Sequence, residues 1–315
     1  MEFGKLSSVD HVDFTLPRDP EDLEQRLGSA RPTGEAPRIR LGAARWQHQG
    51  FVERIYPQGT KPKEMLAAYV TQFGCIELNT TFYGFDEARL AGWAKAAPEG
   101  FLFDPKFPGA ITHECRLRSV ERELDAWLRA LEALDSNCGT VWALLPEDFG
   151  PAQGGFRVVR DFCERLPREF TTMDAPDRRF GLEVRHADWF GPARSALVAM
   201  CQELGISLLC TDVAGRRDVC HSEIVTDHFA LRFVGNRHHP SDFERLDRWV
   251  EKIGTWFESG LRSLEIFLHE PEDELVIELA EHLGPSLEDR TGIDVLWPER
   301  VVVQKQLGLF DGLDR

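Results

Sequence analysis

Two hydrophobic patterns alternate along most of this chain. Short apolar runs are separated by longer stretches in which apolar residues recur at helical spacing. The first pattern is typical of buried strands, and the second is typical of helices with one face on a core. Strands are predicted to begin near Ile39, Cys75, Phe101, Thr140, Gly181, Ser207, Phe229 and Leu264. Strands that alternate with helices predict a parallel sheet, and eight such units favour an α/β fold of the TIM-type barrel.

The helical spacing is clearest over residues 65–73, 124–134, 197–204, 246–257 and 275–283. The connection from Asp212 to Phe229 is short and loop-like, so one helix of the ring is expected to be missing. The first 37 residues are rich in proline and charge, which predicts an irregular extension with one short helix near Pro20 to Leu27. The predicted organisation is an N-terminal extension (1–37), a barrel (38–298) and a C-terminal tail (299–315).

Polar side chains follow most of the predicted strands. The carboxyl ends of all strands in a parallel barrel share one face, so these side chains are expected to meet in one bowl. The residues singled out as catalytic candidates are Glu77, Lys106, His113, Glu183 and Asp212, and those singled out for substrate binding are Trp46, Asn79, Tyr83, Arg185, Trp189, Arg232 and His269.

These residue types suit acid–base chemistry on an anion. Glu77 and Glu183 in different environments can divide the acid and base roles, and a histidine such as His113 can move a proton near neutral pH. Lys106 can bind a phosphate or carboxylate, or act as a Schiff-base amine when desolvated. Ion pairs of Lys106 with Glu77 and of Glu183 with an arginine are the structural alternatives.

A divalent metal is a further alternative, because Glu77, His113, Glu183, Asp212 and His269 are ligand types for zinc, manganese or magnesium. Their spacing along the chain gives no metal motif. Aromatic side chains among the candidates can stack on a base or a sugar ring, or close the barrel top.

Composition narrows the function classes. The formal net charge is −16, which argues against coating nucleic acid or an anionic membrane through bulk electrostatics. The seven cysteines form no Cys-x-x-Cys pair and lie mostly in apolar contexts, so buried free thiols are expected. The chain has no apolar run of membrane-spanning length and no signal-peptide segment at its start, which predicts a cytoplasmic protein.

Several motifs in one order resemble a known family. They are Gly42-x-x-x-Trp46, Ile55-Tyr56-Pro57, Glu77-x-Asn79-x-Thr81-Phe82-Tyr83, Lys106 with Ile111-Thr112-His113, Glu183-x-Arg185-x-x-x-Trp189, Asp212 and Arg232-x-x-Gly235. This set resembles the domain-of-unknown-function 72, or YecE-like, family. The resemblance implies a TIM-type barrel of unestablished function, with a proposed similarity to the fold of endonuclease IV. The chain departs from the family pattern at Leu144, at Phe233-Val234, and at His269-Glu270.

The tail carries a separate signal. Gln306-Leu307-Gly308-Leu309-Phe310 resembles the peptide by which proteins dock on the bacterial DNA sliding clamp. In such a peptide Gln306 bonds backbone at the rim while Leu307, Leu309 and Phe310 supply apolar anchors. The alternative is a strap whose apolar side chains pack back on the barrel.

Three functions are therefore open. The first is an enzyme of phosphodiester or damaged-base chemistry on nucleic acid, recruited by the tail. The second is a small-molecule lyase, isomerase or hydrolase acting on a carboxylate or sugar phosphate. The third is a non-catalytic ligand-binding protein on the clamp.

Overall fold

Eight parallel strands form a nearly closed barrel in the computed structural model, which describes residues 4–29, 36–172 and 178–301, the side chains of 29 and 167–172 excepted. The strands are β1 (Arg38–Ala43), β2 (Cys75–Leu78), β3 (Leu102–Pro105), β4 (Val141–Leu144), β5 (Phe180–Glu183), β6 (Ser207–Asp212), β7 (His228–Val234) and β8 (Ser263–His269). Their order around the sheet is β3-β2-β1-β8-β7-β6-β5-β4. Isolated bridges, Phe103 with Cys138 and Lys106 with Trp142, join β3 to β4. The TIM-type barrel predicted from the sequence is confirmed.

Helices connect the strands on the outside of the barrel. They are α1 (Leu23–Ser29), α2 (Met65–Tyr69), α3 (Glu87–Ala96), α4 (Glu121–Glu132), α5 (Gly155–Thr172), α6 (Arg194–Leu204), α7 (Pro240–Glu258) and α8 (Val276–Thr291). Between β6 and β7 there is one short turn, Arg217–Val219, so the helix expected to be missing is missing. The apolar stripes predicted from spacing are the buried faces, as in α4, where Leu124, Trp127, Leu128 and Leu131 contact the core.

Further short helical turns lie at strand ends and loops. They are Gln49–Phe51, Pro62–Glu64, Asn79–Phe82, Ala110–Glu114, Asp135–Asn137, Ala187–Trp189 and Asp273–Leu275. Asn79–Phe82 directly follows β2 and Ala110–Glu114 follows β3, so both lie at the carboxyl ends of strands.

The barrel interior contains an apolar cluster made of Cys75, Trp142, Leu209, Ala230 and Phe267. Trp142 fits there because its neighbour Gly181 has no side chain; a Cβ on Gly181 would lie 2.0 Å from the indole ring. A buried polar group lies next to this cluster. It consists of Asp104, Thr140, His228 and Glu265, the last three of which lie two residues before Trp142, Ala230 and Phe267 in the chain.

The N-terminal extension runs along the barrel wall. Phe14 packs against the guanidinium groups of Arg217 and Arg245, and Asp19 accepts hydrogen bonds from Lys252 and Trp256 on α7. Its one helix, α1, is close to the predicted position. The division of the chain at residues 37 and 298 stays a prediction. No helix in the described ranges combines the length and apolar character needed to cross a lipid bilayer.

Candidate functional site

An open cavity of about 1020 Å³ lies at the carboxyl ends of the strands. Seven of the residues predicted from the sequence line it: Trp46, Asn79, Tyr83, Lys106, His113, Arg185 and His269. Glu77 and Glu183 are buried beneath it, where Glu77 pairs with Lys106 and His269 and Glu183 pairs with Arg185 of this lining. The buried Arg232 pairs with both glutamates. Strand ends therefore bring most of the predicted residues together, as the barrel geometry requires.

Glu77 accepts hydrogen bonds from several elements at once. Its Oε1 is 3.0 Å from Lys106 Nζ and 2.8 Å from Arg232 Nε. Its Oε2 is 2.6 Å from His269 Nε2 and 3.3 Å from Asn79 Nδ2. The side chain is fully buried, so these contacts to β3, β7 and β8 are what make an ionised carboxylate tolerable there.

A second carboxylate is held across the barrel. Arg232 donates from Nη1 to Glu183 Oε2 at 2.5 Å, and Arg185 donates from Nε to Glu183 Oε1 at 2.8 Å. Thr211 lies between Glu183 and Arg232, because its hydroxyl donates to Glu183 at 2.9 Å and accepts from Arg232 at 3.0 Å. Arg232 therefore bridges both glutamates from the centre of the barrel.

The charges decide the protonation states of these groups. Burial raises the pKa of Glu77, but Arg232, Lys106 and His269 together hold it well below its usual range. Burial acts on Glu183 in the same way, and its cationic neighbours Arg185 and Arg232 bring its pKa down to about 2. Both carboxylates are ionised at neutral pH and saturated by partners, so neither is available as a proton donor.

Lys106 is the unusual cation of the group. Burial and the neighbouring Arg232 lower the pKa of its ammonium group to about 8, against the raising effect of Glu77 and Glu183. Its side chain is 6% exposed and lines the cavity. About a tenth of the amine is therefore neutral at pH 7.

Two histidines line the same cavity. Burial lowers the pKa of His269 in spite of its contact with Glu77, and burial with Arg185 lowers the pKa of His113. Both rings are therefore neutral at pH 7 and can accept a proton. Glu77 fixes the orientation of His269 through Nε2, the arrangement by which a carboxylate positions a general base.

Aromatic rings form one wall of the cavity. Trp46 and Trp93 meet edge to face with centroids 4.9 Å apart, and Phe82 packs edge-on against His113 at 4.8 Å. Tyr83 stands at the rim with 88% of its surface exposed. Trp93 and Thr211 belong to the site and were not among the residues predicted from sequence.

Two predicted residues lie elsewhere. Asp212 accepts hydrogen bonds from Arg245 at 2.9 Å and from Trp249 at 2.7 Å, both on α7, so its side chain points outward into helix packing. Trp189 is fully buried and donates to the carbonyl of Phe149 at 2.7 Å. The structure therefore does not bring Asp212 or Trp189 to the cavity, and their assignment to catalysis and to the substrate wall stays an untested prediction. Thr211, next to Asp212, takes the inward position.

The predicted metal alternative does not fit the donor set. Among the described residues, no group of three or more His, Cys, Asp or Glu side chains could hold a metal ion. Glu77 and Glu183, the two buried carboxylates that pair with cations of the cavity lining, are already occupied by Arg232, Lys106 and Arg185. A cation placed between them would face these positive groups.

A second cavity of about 610 Å³ adjoins the first and shares Arg45, His269 and Asp273 with it. The N-terminal residues from Gly4 to Asp10 form one side of it. Glu270 lies at its other side, where burial raises the pKa of the carboxyl to about 7 although the backbone N–H of Arg237 donates to it at 2.8 Å.

The comparison with protein families decides the membership that the motifs indicated. The model described as "Protein of unknown function DUF72" matches residues 40–300. The chain belongs to the DUF72 family. Among DUF72-like relatives, the UPF0759 protein YecE of Escherichia coli K12 is 27% identical over 276 residues, which cover 79% of this chain and 94% of that protein. UPF0759 protein YunF of Bacillus subtilis is 30% identical over 161 residues, or 49% of this chain and 53% of that protein.

Solved structures of DUF72 proteins share the fold. One from Enterococcus faecalis V583 superposes with a TM-score of 0.61 at 17% identity, covering 82% of this chain and 99% of that one. Another from Thermotoga maritima MSB8 gives 0.60 at 19% identity, covering 79% of this chain and 99% of that one.

The predicted docking peptide lies outside the described residues, with its anchors Gln306, Leu307, Leu309 and Phe310.

Proposed function

We propose that this DUF72 protein is an enzyme that binds a small organic anion, a carboxylate or a sugar phosphate, and moves protons on it. The observation that carries the proposal is the charge of the cavity. It is lined by the cations Arg45, Lys63, Arg89, Lys106 and Arg185, against one carboxylate, Asp273, among the described lining residues. A basic cavity in a chain of net charge −16 concentrates attraction for an anion at this one place.

The charges deep in the cavity favour an anion more than the rim charges do. Asp273 already pairs with Arg45 at 3.0 Å near the rim. Lys106 and Arg185 are the cations at the cavity floor, where both side chains are largely shielded from water. Charge-assisted hydrogen bonds at such shielded positions are stronger than those at exposed surfaces.

Proton transfer is assigned to His269. The ring is neutral at pH 7, lines the cavity and is oriented by Glu77. A base beside an anion-binding cation suits an isomerase, a lyase or a hydrolase that acts on an anion. His113 is the second neutral ring in the cavity and supplies the complementary proton position.

Binding of simple anions tests the proposal. Calorimetry with lactate, pyruvate and ribose 5-phosphate should show binding that weakens with salt, whereas uncharged ribose should not bind. Arg185→Ala should weaken binding about tenfold or more, which corresponds to about 1.4 kcal/mol. The matched control is Lys95→Ala, an exposed cation on α3 outside the cavity, which should leave affinity unchanged. Equal binding of ribose, or an equal loss in the control, would contradict the proposal.

A second candidate, action on the end of a single nucleic acid strand, is favoured by Tyr83. This exposed ring stands on the rim together with the exposed cations Lys63 and Arg89. Aromatic stacking on a base contributes about 1–3 kcal/mol. Tyr83→Ser should therefore weaken binding of a fluorescent oligothymidylate at low salt by tenfold or more. Absence of oligonucleotide binding at low salt would remove this candidate and leave the small-anion proposal standing.

A further inference from the structure

We propose that Lys106 forms a covalent imine with the carbonyl group of a small anionic carbonyl compound, either a 2-oxo acid or an aldose phosphate. The inference rests on the proposed anion site, because the same cavity would receive the compound. It adds a specific bond and narrows the substrate class. Of the lysines that the structure describes, Lys106 alone is buried, and it lies where the end of β3 meets the cavity.

The charges around Lys106 balance without it. Glu77 and Glu183 carry two negative charges, and Arg185 and Arg232 carry two positive ones. A protonated Lys106 leaves this buried group with one excess positive charge. The excess disappears when Lys106 loses its proton or when an anion enters, and an anionic carbonyl compound can use both routes in turn.

Loss of that proton leaves no carboxylate unpaired. The Glu77 oxygen that contacts Lys106, Oε1, also accepts from Arg232 at 2.8 Å. The other oxygen accepts from His269 and Asn79. Glu77 therefore keeps its other hydrogen bonds when Lys106 is neutral. The neutral, nucleophilic form of the amine thus leaves no buried carboxylate oxygen without a donor.

The electrostatic environment supports the same conclusion. The charged and titratable groups facing Lys106 are Glu77 from β2, Glu183 and Arg185 from β5, Arg232 from β7 and His269 from β8. Burial and Arg232 lower the pKa of Lys106 to about 8. At pH 7 its neutral fraction is on the order of a hundredfold larger than that of an exposed lysine.

The bonds can be followed through the reaction. The neutral amine of Lys106 attacks the carbonyl carbon, a nitrogen–carbon bond forms, and the carbonyl oxygen takes up a proton while the nitrogen loses one. The resulting hydroxyl takes a second proton and leaves as water, and the nitrogen lone pair completes the carbon–nitrogen double bond. His269, held by Glu77 beside Lys106, is the group positioned to carry these protons.

Reductive trapping tests the imine directly. The full-length protein is treated with pyruvate and sodium borohydride, and in parallel with lactate, a matched anion without a carbonyl group. Hydride adds to the imine carbon, so the trapped adduct raises the mass by that of pyruvate less one oxygen atom. Peptide mapping should place it on Lys106, with exposed Lys95 labelled at least tenfold less at pH 7. Ribose 5-phosphate in place of pyruvate distinguishes an aldose phosphate from a 2-oxo acid.

Each outcome separates the two proposals. An adduct on Lys106 that lactate cannot form, and whose rate rises with pH through about 8, supports the imine. If pyruvate, ribose 5-phosphate and lactate bind by calorimetry but neither carbonyl compound labels Lys106, or label spreads evenly over exposed lysines, the imine is refuted and the anion site stands. If neither anion binds and no adduct forms on Lys106, both proposals fail. Lys106→Arg, which keeps a cation but has no nucleophilic amine, should form no adduct with either carbonyl compound.

Discussion

Arg232 is a side chain whose removal should strongly destabilise this barrel. It is fully buried and bridges Glu77 and Glu183, so Arg232→Met leaves two buried carboxylates short of their shared cation. Removing one partner of a buried ion pair costs about 3–5 kcal/mol. The variant can limit the loss by protonating one glutamate, whose ordinary pKa is 4.5, and at pH 7 that costs about 3 kcal/mol. We therefore expect a loss of about 4 kcal/mol.

The loss should depend on pH in a defined direction. The pKa values of Glu77 and Glu183 are lowered in the folded protein, so their contribution to stability is present above about pH 4.5 and is lost as the pH falls. In Arg232→Met one glutamate must take up a proton, and this uptake costs less free energy at lower pH. The difference in unfolding free energy between the variant and the unchanged protein should therefore shrink by about 1.4 kcal/mol per pH unit between pH 7 and 5.

Guanidinium unfolding followed by circular dichroism at several pH values measures this difference in unfolding free energy. The melting temperature of the variant should be about 6 °C lower at pH 7. Arg157→Met is the control, because Arg157 is 86% exposed on α5, and its replacement should change stability by no more than about 0.5 kcal/mol. Combining Arg232→Met with Glu77→Gln and Glu183→Gln should recover much of the loss. A loss below about 1 kcal/mol, or one independent of pH, would refute the reasoning.

Three further predictions concern other parts of the molecule. Asp212→Asn should cost about 3 kcal/mol of stability, because it weakens the buried hydrogen bonds of this side chain to Arg245 and Trp249 on α7. The affinity for lactate, measured by calorimetry, should stay unchanged. A loss of affinity at normal stability would indicate that Asp212 belongs to the site. Burial and the neighbouring Glu265 raise the pKa of Asp104, so the stabilising effect of this carboxyl is present below about pH 3.8 and is lost as the pH rises. Asp104→Asn should therefore gain stability relative to the unchanged protein in thermal melts as the pH is raised from 4 to 7. The absence of such a gain would contradict this reasoning. A peptide of residues 303–315 should bind bacterial sliding clamp at about −8 kcal/mol and lose about 2 kcal/mol or more on Phe310→Ala, whereas absence of binding would leave the tail as a strap.

The sequence determined the strand and helix order and most of the site. Most apolar runs end at a polar residue, and the closed parallel barrel brings these ends to one face, so Lys106, His269 and Arg185 could be placed together from the sequence. The motif order also indicated the DUF72 family. These features are local along the chain or follow from one fold, which is why sequence patterns carry them.

Tertiary structure alone decided which of two neighbouring polar residues faces the barrel interior. Every residue of β6 is buried, because a parallel barrel covers its strands on both faces, so hydrophobicity cannot separate the inward Thr211 from the outward Asp212. The pairing of Glu77 with Arg232 was equally hidden, since it joins residues 155 positions apart through barrel closure. The spacing of residues in the sequence shows which of them share a strand and its end. The contacts across the barrel, and the pKa values that these contacts set, depend on how all eight strands close.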